Sequence, residues 1–283
     1  MGEQVASPDP VYVYAIVAHT DFFALPETGI DPARPVELLA VANVQAVISH
    51  VRSETFNEED VRAGLQNKTW LATHVLAHQQ VMDWLVSTGA AVIPMRFCTL
   101  YPDVNALTSS LARHDSALQA ELARLQGKQE WGVKQSVNLL LLQQAITEGN
   151  AGLAGVEMDE AIARLRTQIA GMSAGTAYLL KKRLTTLVAD RAQSVAFAIA
   201  DDTLRSLSEA AEAAVTSDLS RDQPDVCLNA AFLVETARYG EFHGQLERLA
   251  ETYATVGVHY ELIGPWPAHH FLRLNLDTPE VSE

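Results

Sequence analysis

The chain has 283 residues, of which 48 % are hydrophobic and 19 % are charged, and its formal net charge is −15. A composition this apolar can bury a sizeable core, so it excludes a disordered chain and predicts one large domain or two ordinary ones. An acidic chain repels phosphate backbones and anionic lipid, which argues against nucleic-acid partners and against simple electrostatic binding to a lipid membrane.

The first half of the chain is predicted to mix strands with helices. The apolar, β-rich stretch at Val11–Ala18 predicts a buried strand, and two further apolar runs on either side of Ala42 and Asn43 predict a hairpin. Asn57 is a suitable N-cap for a helix that ends at Gly89. The predicted elements are strands over 11–18, 36–41, 44–51 and 90–95 and helices over 57–89 and 103–126.

The stretch QGKQEWGVKQSVN, residues 126–138, breaks the helical pattern and begins a new strand. We therefore predict a domain boundary near residue 128, with one α+β domain over 1–128 and a second over 129–283. The final strand, helix and strand are typical of half a ferredoxin-like unit, and the N-terminal half is expected to form a four-stranded sheet with helices on one face. The elements predicted after residue 138 are helices over 140–149, 157–171, 177–217 and 238–254 and strands over 226–235 and 257–267.

Two pairs of histidines have spacings that raise the question of a metal site. His74 and His78 are four residues apart on a predicted helix, so their side chains point the same way. Because the set of ligands is incomplete, we interpret them as histidines of a polar helix face, and a metal-binding module remains an alternative. His269 and His270 are adjacent, and in an extended segment they would face opposite ways, so we interpret them as surface histidines.

The two cysteines, Cys98 and Cys227, form neither a disulfide framework nor a complete zinc site, which favours a cytoplasmic protein. A nucleophilic cysteine needs a base and an electropositive setting. Arg96 is near Cys98, but no histidine partner follows from the spacing, so we expect a small buried cysteine. An enzyme whose site is assembled from distant residues such as Arg96, His74 and Glu130 remains an alternative.

The densest basic cluster of this acidic chain is Lys181, Lys182 and Arg183, in the stretch SAGTAYLLKKR. It falls on a predicted helix that Ser173 or Gly175 caps. A solvated helix face is one interpretation, and a clamp for an acidic protein partner is the other. We carry the cluster forward as a candidate protein-binding site.

A second candidate for protein binding is Trp266, which stands between two prolines in the stretch IGPWPAHHF. A proline fixes its own φ and restricts the residue before it to an extended conformation. Gly264 and Trp266 are therefore expected to be extended, and the indole to be held in one direction. Nothing in the stretch supplies a nucleophile, a base or a complete metal shell, so we interpret it as a scaffold or contact surface.

Several separated segments of the chain together resemble the gas vesicle protein family GvpF/GvpL. Their order and spacing are also similar to those of the family, and they run across nearly the whole chain. One departure is Cys98, where the family usually has glycine in its P-x-R-F-G-T stretch. The segments are VYVYAIV, VIPMRFCTLYPD, EWGVKQSVN, GTAYLLKKR, LNAAFLVE and GPWPAHHF.

The resemblance implies an accessory protein of gas vesicle formation, present in the cytoplasm and at the gas vesicle. It implies two α+β domains, the first ferredoxin-like and the second with a modified ferredoxin-like sheet and long helices. It also implies binding to the small hydrophobic shell protein GvpA and to other accessory proteins, which assists nucleation or assembly of the shell. No enzymatic activity, cofactor or bound metal is expected.

Overall fold

The computed structural model describes residues 9–19, 25–149 and 159–274. These residues form two compact units. The first contains the described residues up to Glu130 together with those from Pro265 onward, and the second contains the described residues from Trp131 to Gly264. The domain boundary near residue 128 and the assignment of 129–283 to one domain stay predictions. The fold is two-domain α+β, as the sequence indicated.

The first unit is built on an antiparallel sheet whose strands follow the order β2-β3-β1-β4, with β5 paired to β1. This order and the antiparallel pairing are those of a ferredoxin-like sheet. The predicted sheet had four strands, and the additional β5 has two residues, too few to show an alternating pattern. The strands are β1 (Val11–Ala18), β2 (Glu37–Val41), β3 (Val44–His50), β4 (Val92–Pro94) and β5 (Leu100–Tyr101).

Among its described residues, the first unit has four α-helices where two were predicted. Asn57 caps the first of them, as expected, by accepting a hydrogen bond from the Asp60 backbone. The single helix predicted over 57–89 is wrong, because Asn67 interrupts it and caps a second helix through its side chain. The helix predicted over 103–126 is likewise broken at His114. The helices are α1 (Glu58–Gln66), α2 (Lys68–Ser87), α3 (Val104–Arg113) and α4 (Asp115–Leu125).

A buried carboxylate holds the C-terminal segment in the first unit. Glu121 on α4 accepts hydrogen bonds from the Arg124 guanidinium at 2.7 and 2.9 Å and from the Arg273 backbone N–H at 2.8 Å. Arg124 also donates to the carbonyl of the buried Phe271 at 2.6 Å. The hydrogen bonds from Arg124 hold the pKa of Glu121 below its ordinary value, so the carboxylate stays ionised.

The second unit repeats the same strand order. Its antiparallel sheet runs β7-β8-β6-β9, so the strand first in sequence again lies between the third and the fourth. The strands β6 and β9 also contain the residues at which the chain passes from one unit to the other. The strands are β6 (Lys128–Val137), β7 (Ala213–Thr216), β8 (Val226–Glu235) and β9 (Val258–Trp266).

The helices of the second unit pack around one long member, α7, which has 36 residues. The prediction that this helix reaches Ser217 is wrong, because it ends at Glu209 and the chain then forms β7. The start of the helix predicted over 157–171 lies outside the described residues. None of the helices within the described ranges is both long and apolar enough to cross a bilayer. They are α5 (Leu139–Glu148), α6 (Glu160–Ala170), α7 (Ala174–Glu209) and α8 (Tyr239–Tyr253).

The core of the second unit forms between its sheet and its helices. Phe232 on β8 packs against Phe242 on α8, with ring centroids 5.4 Å apart. Trp131 on β6 stacks on Tyr239 at 4.5 Å. The buried Ile199 belongs to the face of α7 that packs into this core. Near the start of the helix, Tyr178 and Leu179 are exposed to solvent. This exposed part is where the candidate surface lies.

Candidate functional site

His74 and His78 both lie among aromatic rings in the first unit. The ring of His74 stacks on Trp70 at 4.0 Å, and its Nδ1 lies 2.7 Å from the Trp70 carbonyl. His78 is buried, and its Nδ1 lies 2.8 Å from the Tyr12 hydroxyl. Burial lowers the pKa of His78 to about 4. The interpretation of His78 as a polar-face residue is therefore wrong, since α2 turns that position toward the sheet.

Cys98 has the properties of an inert thiol. It is partly buried, and burial raises its pKa to about 12, so the reactive thiolate is scarce at neutral pH. Its φ is 64°, in the left-handed region where a side chain is disfavoured and glycine is not. Its backbone N–H donates to the Tyr12 hydroxyl at 3.2 Å, which fixes the turn after β4.

Glu130, the acidic member of the alternative catalytic set, has a partner of its own. It is buried, and it accepts hydrogen bonds from the His270 backbone N–H at 2.9 Å and from His270 Nδ1 at 2.6 Å. His74 bonds instead to the Trp70 carbonyl, so the structure gives these two residues different partners. Within the described ranges, no group of three or more His, Cys, Asp and Glu side chains is placed to hold a metal ion.

The basic cluster Lys181, Lys182 and Arg183 lies on the second and third turns of α7, and all three side chains are exposed. Among the described residues none of the three forms an ion pair. Asp190 is the next acidic residue along the helix, too far to pair with Arg183 within a turn.

Two exposed apolar side chains come just before this basic cluster on α7. Tyr178 is 67 % exposed and Leu179 is 73 % exposed, values far above those of core residues. In a helix, side chains three and four residues apart are neighbours. Tyr178 is therefore next to Lys181 and Lys182, while Leu179 is next to Lys182 and Arg183. The first turns of α7 thus present a mixed apolar and basic surface, which we call the α7 surface.

A second exposed apolar surface lies on α5, at its first turn. Leu140 is 77 % exposed and Leu141 is 46 % exposed. Asn138 caps this turn, because its side chain accepts hydrogen bonds from the backbone N–H groups of both leucines at 3.1 and 3.2 Å. Gly257, at φ 81°, lets the chain pass so close that an added Cβ would lie 2.9 Å from the Leu141 Cβ.

A groove of about 360 Å³ runs between α5 and α7. Its apolar walls are Leu140 on α5 and Leu184 and Val188 on α7, and two threonines, two glutamines and Glu148 complete the lining. Lys181 is one turn before Leu184 and Thr185 on the same face of α7. The groove therefore adjoins the side of the α7 surface that contains Tyr178 and Lys181, whereas Leu179, nine residues before Val188, lies on the opposite side of the helix.

Trp266, the second candidate from the sequence, ends β9 and is half-buried, and it belongs to the first unit. The three basic residues belong to the second unit, so the two candidates lie in different units. The expectation that Gly264 is held in an ordinary extended conformation is wrong: its φ is 133°, a value that favours glycine.

The leucines of α5 were missed as candidate site residues. The available signal was the run of four consecutive leucines, Leu139–Leu142. A helix buries about one face, so four adjacent leucines cannot all be buried. Only Leu142 is fully buried, and Leu139, Leu140 and Leu141 are exposed.

Comparison with known proteins places this fold in one family. The family model described as gas vesicle synthesis protein GvpL/GvpF matches residues 10–273. Gas vesicle protein L from a Streptomyces species is 32 % identical, with 92 % of this chain and 91 % of the relative covered. Gas vesicle protein L2 from Halobacterium salinarum is 28 % identical, with 93 % and 91 % covered.

The crystal structure of GvpF from an Anabaena species superposes with a TM-score of 0.68 at 17 % identity, covering 94 % of this chain and 99 % of that one. GvpF from Microcystis aeruginosa gives a TM-score of 0.65 with the same coverage. The shared fold agrees with the match of the family model, which spans both units. The resemblance seen in six sequence segments is confirmed, and the chain belongs to the GvpL/GvpF family of gas vesicle synthesis proteins.

Proposed function

We propose that this protein binds the gas vesicle shell protein GvpA and other accessory proteins, and that it assists nucleation or assembly of the shell. It acts in the cytoplasm and at the growing vesicle, and it catalyses no reaction. Its membership of the GvpL/GvpF family supports a gas vesicle accessory role.

The observation that carries the proposal is the exposed apolar surface of α5 and α7. Leu140 and Leu179 each leave more than two thirds of the side chain in water, and a groove with apolar walls lies between the two helices. Exposed leucines together with a groove that has apolar walls are typical of a protein contact site. A shell subunit that excludes water from a gas space must carry an apolar face, and that face needs cover before assembly.

The net charge of −15 supports the same role. A complex with an apolar shell subunit would aggregate if nothing kept its copies apart. A strongly charged partner supplies that repulsion, since like charge opposes association between complexes. The acidic chain therefore suits a protein that keeps shell subunits dispersed until they are added to the wall.

The chemistry of the titratable groups supports binding over catalysis. The pKa of His78 is lowered by burial, and its Nδ1 contacts a tyrosine hydroxyl. The Cys98 thiol has its pKa raised by burial and is a poor nucleophile. Glu130 is used to hold the C-terminal segment.

The proposal is tested by co-purification of the tagged full chain with co-expressed GvpA. The Leu140→Gln, Leu141→Gln double variant removes apolar surface from α5 and keeps helix-forming residues there. We expect its recovery of GvpA to fall about tenfold or more, because each leucine buried in an interface contributes roughly 1–3 kcal/mol. The matched control is Val75→Gln, Leu76→Gln, which changes two exposed residues of α2 in the first unit.

Recovery by the control variant should equal that of the unmodified chain. If the unmodified chain recovers no GvpA under conditions in which vesicles form, the proposed partner is wrong. If the α5 variant and the control lose GvpA equally, the surface assigned to binding is wrong.

A further inference from the structure

We infer that the α7 surface is a docking site for an acidic amphipathic helix of a partner protein. The partner would place an apolar stripe on Tyr178 and Leu179 and carboxylates against Lys181, Lys182 and Arg183. The inference rests on the proposed function, because it gives the chemistry of the partner segment that this helix receives.

The distribution of charge singles out this part of the chain. Residues 159–186 contain five of the 20 Lys and Arg residues but two of the 35 Asp and Glu residues, a local net charge of +3 in a chain of −15. No acidic residue occurs between Glu160 and Asp190. Helix α6 and the first turns of α7 are thus a basic feature on an acidic protein.

The cations of the α7 surface form no ion pair within the described residues, whereas the arginines of α6 have partners there. Arg164 pairs with Glu160 at 2.7 Å, and Arg166 donates to the Thr147 carbonyl. Lys181, Lys182 and Arg183 are consecutive, exposed and without an ion pair in the described ranges. Their mutual repulsion is relieved by carboxylates from outside the unit.

The apolar neighbours decide what kind of acidic partner fits. Tyr178 and Leu179 lie three and four residues before the cations, so each charge is beside an apolar side chain. An amphipathic helix with acidic residues flanking its apolar stripe matches this pattern, because it places both features within one or two turns. The groove at Leu184 and Val188 begins one turn beyond Lys181 on the same face of α7, so a helix that contacts Tyr178 and Lys181 ends beside it.

A nucleic acid or an anionic membrane is a poorer match than a short helix. Either would extend beyond the few turns of α7 that carry the positive charge and would meet the remainder of an acidic chain. A helical segment of a protein is small enough to contact only the basic region. We therefore commit to a peptide helix.

The first experiment uses the charge-reversal variant Lys181→Glu, Lys182→Glu in co-purification with co-expressed gas vesicle proteins. The matched control is Lys68→Glu, Arg113→Glu, which makes the same change in net charge at two exposed positions of the first unit. We expect about a tenfold loss of a gas vesicle partner with the α7 variant and no loss with the control.

The second experiment measures direct binding with designed probes. One is a helical peptide with leucines at i, i+3, i+4 and i+7 and glutamates on both flanks, and the other has glutamine in place of every glutamate. The full chain should bind the glutamate peptide about tenfold more tightly, and Leu179→Gln and the α7 charge variant should each weaken it.

The outcomes separate the two proposals. If the unmodified chain recovers GvpA but the α7 variant recovers every gas vesicle partner equally well, the docking site is overturned and the proposed function stands. Equal affinity for the two peptides, or stronger binding to phosphatidylserine vesicles than to the glutamate peptide, would also overturn it. Loss of a partner only with the α7 variant, together with preference for the glutamate peptide, supports it.

Discussion

The hydroxyl of Tyr12 lies 2.8 Å from Nδ1 of His78, and both residues are buried between the sheet and α2 of the first unit. The same hydroxyl accepts the backbone N–H of Cys98, so its own hydrogen is free to point at the imidazole. The ring of Tyr14 stacks on His78 with centroids 5.7 Å apart. This arrangement suits a neutral histidine and disfavours a protonated one.

We expect the stability of the first unit to fall as the pH is lowered from about 6.5 toward 4. Burial lowers the pKa of His78 from 6.5 to about 4, so in this window the unfolded chain binds a proton that the folded chain does not. The free energy of unfolding should decrease by an amount on the order of 2–3 kcal/mol across the window. Urea unfolding at several pH values measures it.

The control for this pH dependence is the variant His78→Leu, which cannot take up the proton. Its stability should vary less between pH 6.5 and pH 4 than that of the unmodified chain. An equal pH dependence in both chains would show that other groups cause the effect. The His78 resonance, followed by NMR, should titrate well below pH 6.5.

Cys98 and Cys227 should react slowly with thiol reagents in the folded protein. Burial raises their pKa values to about 12 and about 11, so at pH 8 the thiolate fraction is smaller than that of a free cysteine by a factor of roughly 100 or more. Labelling with a chromogenic disulfide should be slow in buffer and fast in urea. Rapid labelling of either residue in buffer would contradict the assignment of inert thiols.

Glu130→Gln should destabilise the first unit by about 1–3 kcal/mol, the usual cost of leaving a buried polar group without a suitable partner. The carboxylate accepts from two donors of His270, and the amide that replaces it turns its own NH₂ group toward one of them. The shift in the urea midpoint is the measurement. Glu261→Gln, at an exposed position of β9, is the control and should be neutral.

Asn138→Ala should lower the stability of the second unit by roughly 1 kcal/mol, since a lost N-cap typically costs that much. The two leucine N–H groups at the start of α5 lose their acceptor, and the first turn of the helix frays. Recovery of GvpA should fall with it, because the exposed leucines lie on that turn. Asn138→Asp keeps the acceptor and should restore both quantities.

Local pattern predicted most of the elements of this fold, because apolar runs and caps are local features. The strand at Val11–Ala18 and the cap at Asn57 lie where the pattern indicated. The breaks at Asn67 and His114 were missed, since helical periodicity continues on both sides of each. The strand β7 was missed because its sequence AAVT continues an alanine-rich helix and has four residues.

The candidate surface was only half predictable. Three adjacent cations in an acidic chain can be read directly from the sequence. Whether Tyr178 and Leu179 are buried depends on which elements pack against α7, and the sequence does not show that. The contact between Glu130 and His270 joins residues 140 positions apart. Sequence periodicity predicts local structure and cannot predict a pair so far apart. Trp266 was chosen because prolines flank it. Prolines restrict the backbone conformation there, but they do not indicate that a partner binds.

The first unit cannot be completed until its C-terminal segment has been synthesised. Glu121 and Glu130 leave the ribosome early, whereas Arg273 and His270 are added 152 and 140 residues later. At a translation rate of about 5–20 residues per second, the two carboxylates wait roughly 7–30 s for their partners. The second unit, residues 131–264, is synthesised within that interval and is complete only six residues before His270. We therefore expect the released chain that is truncated after Gly264 to show a protected second unit and a first unit that proteases still cut.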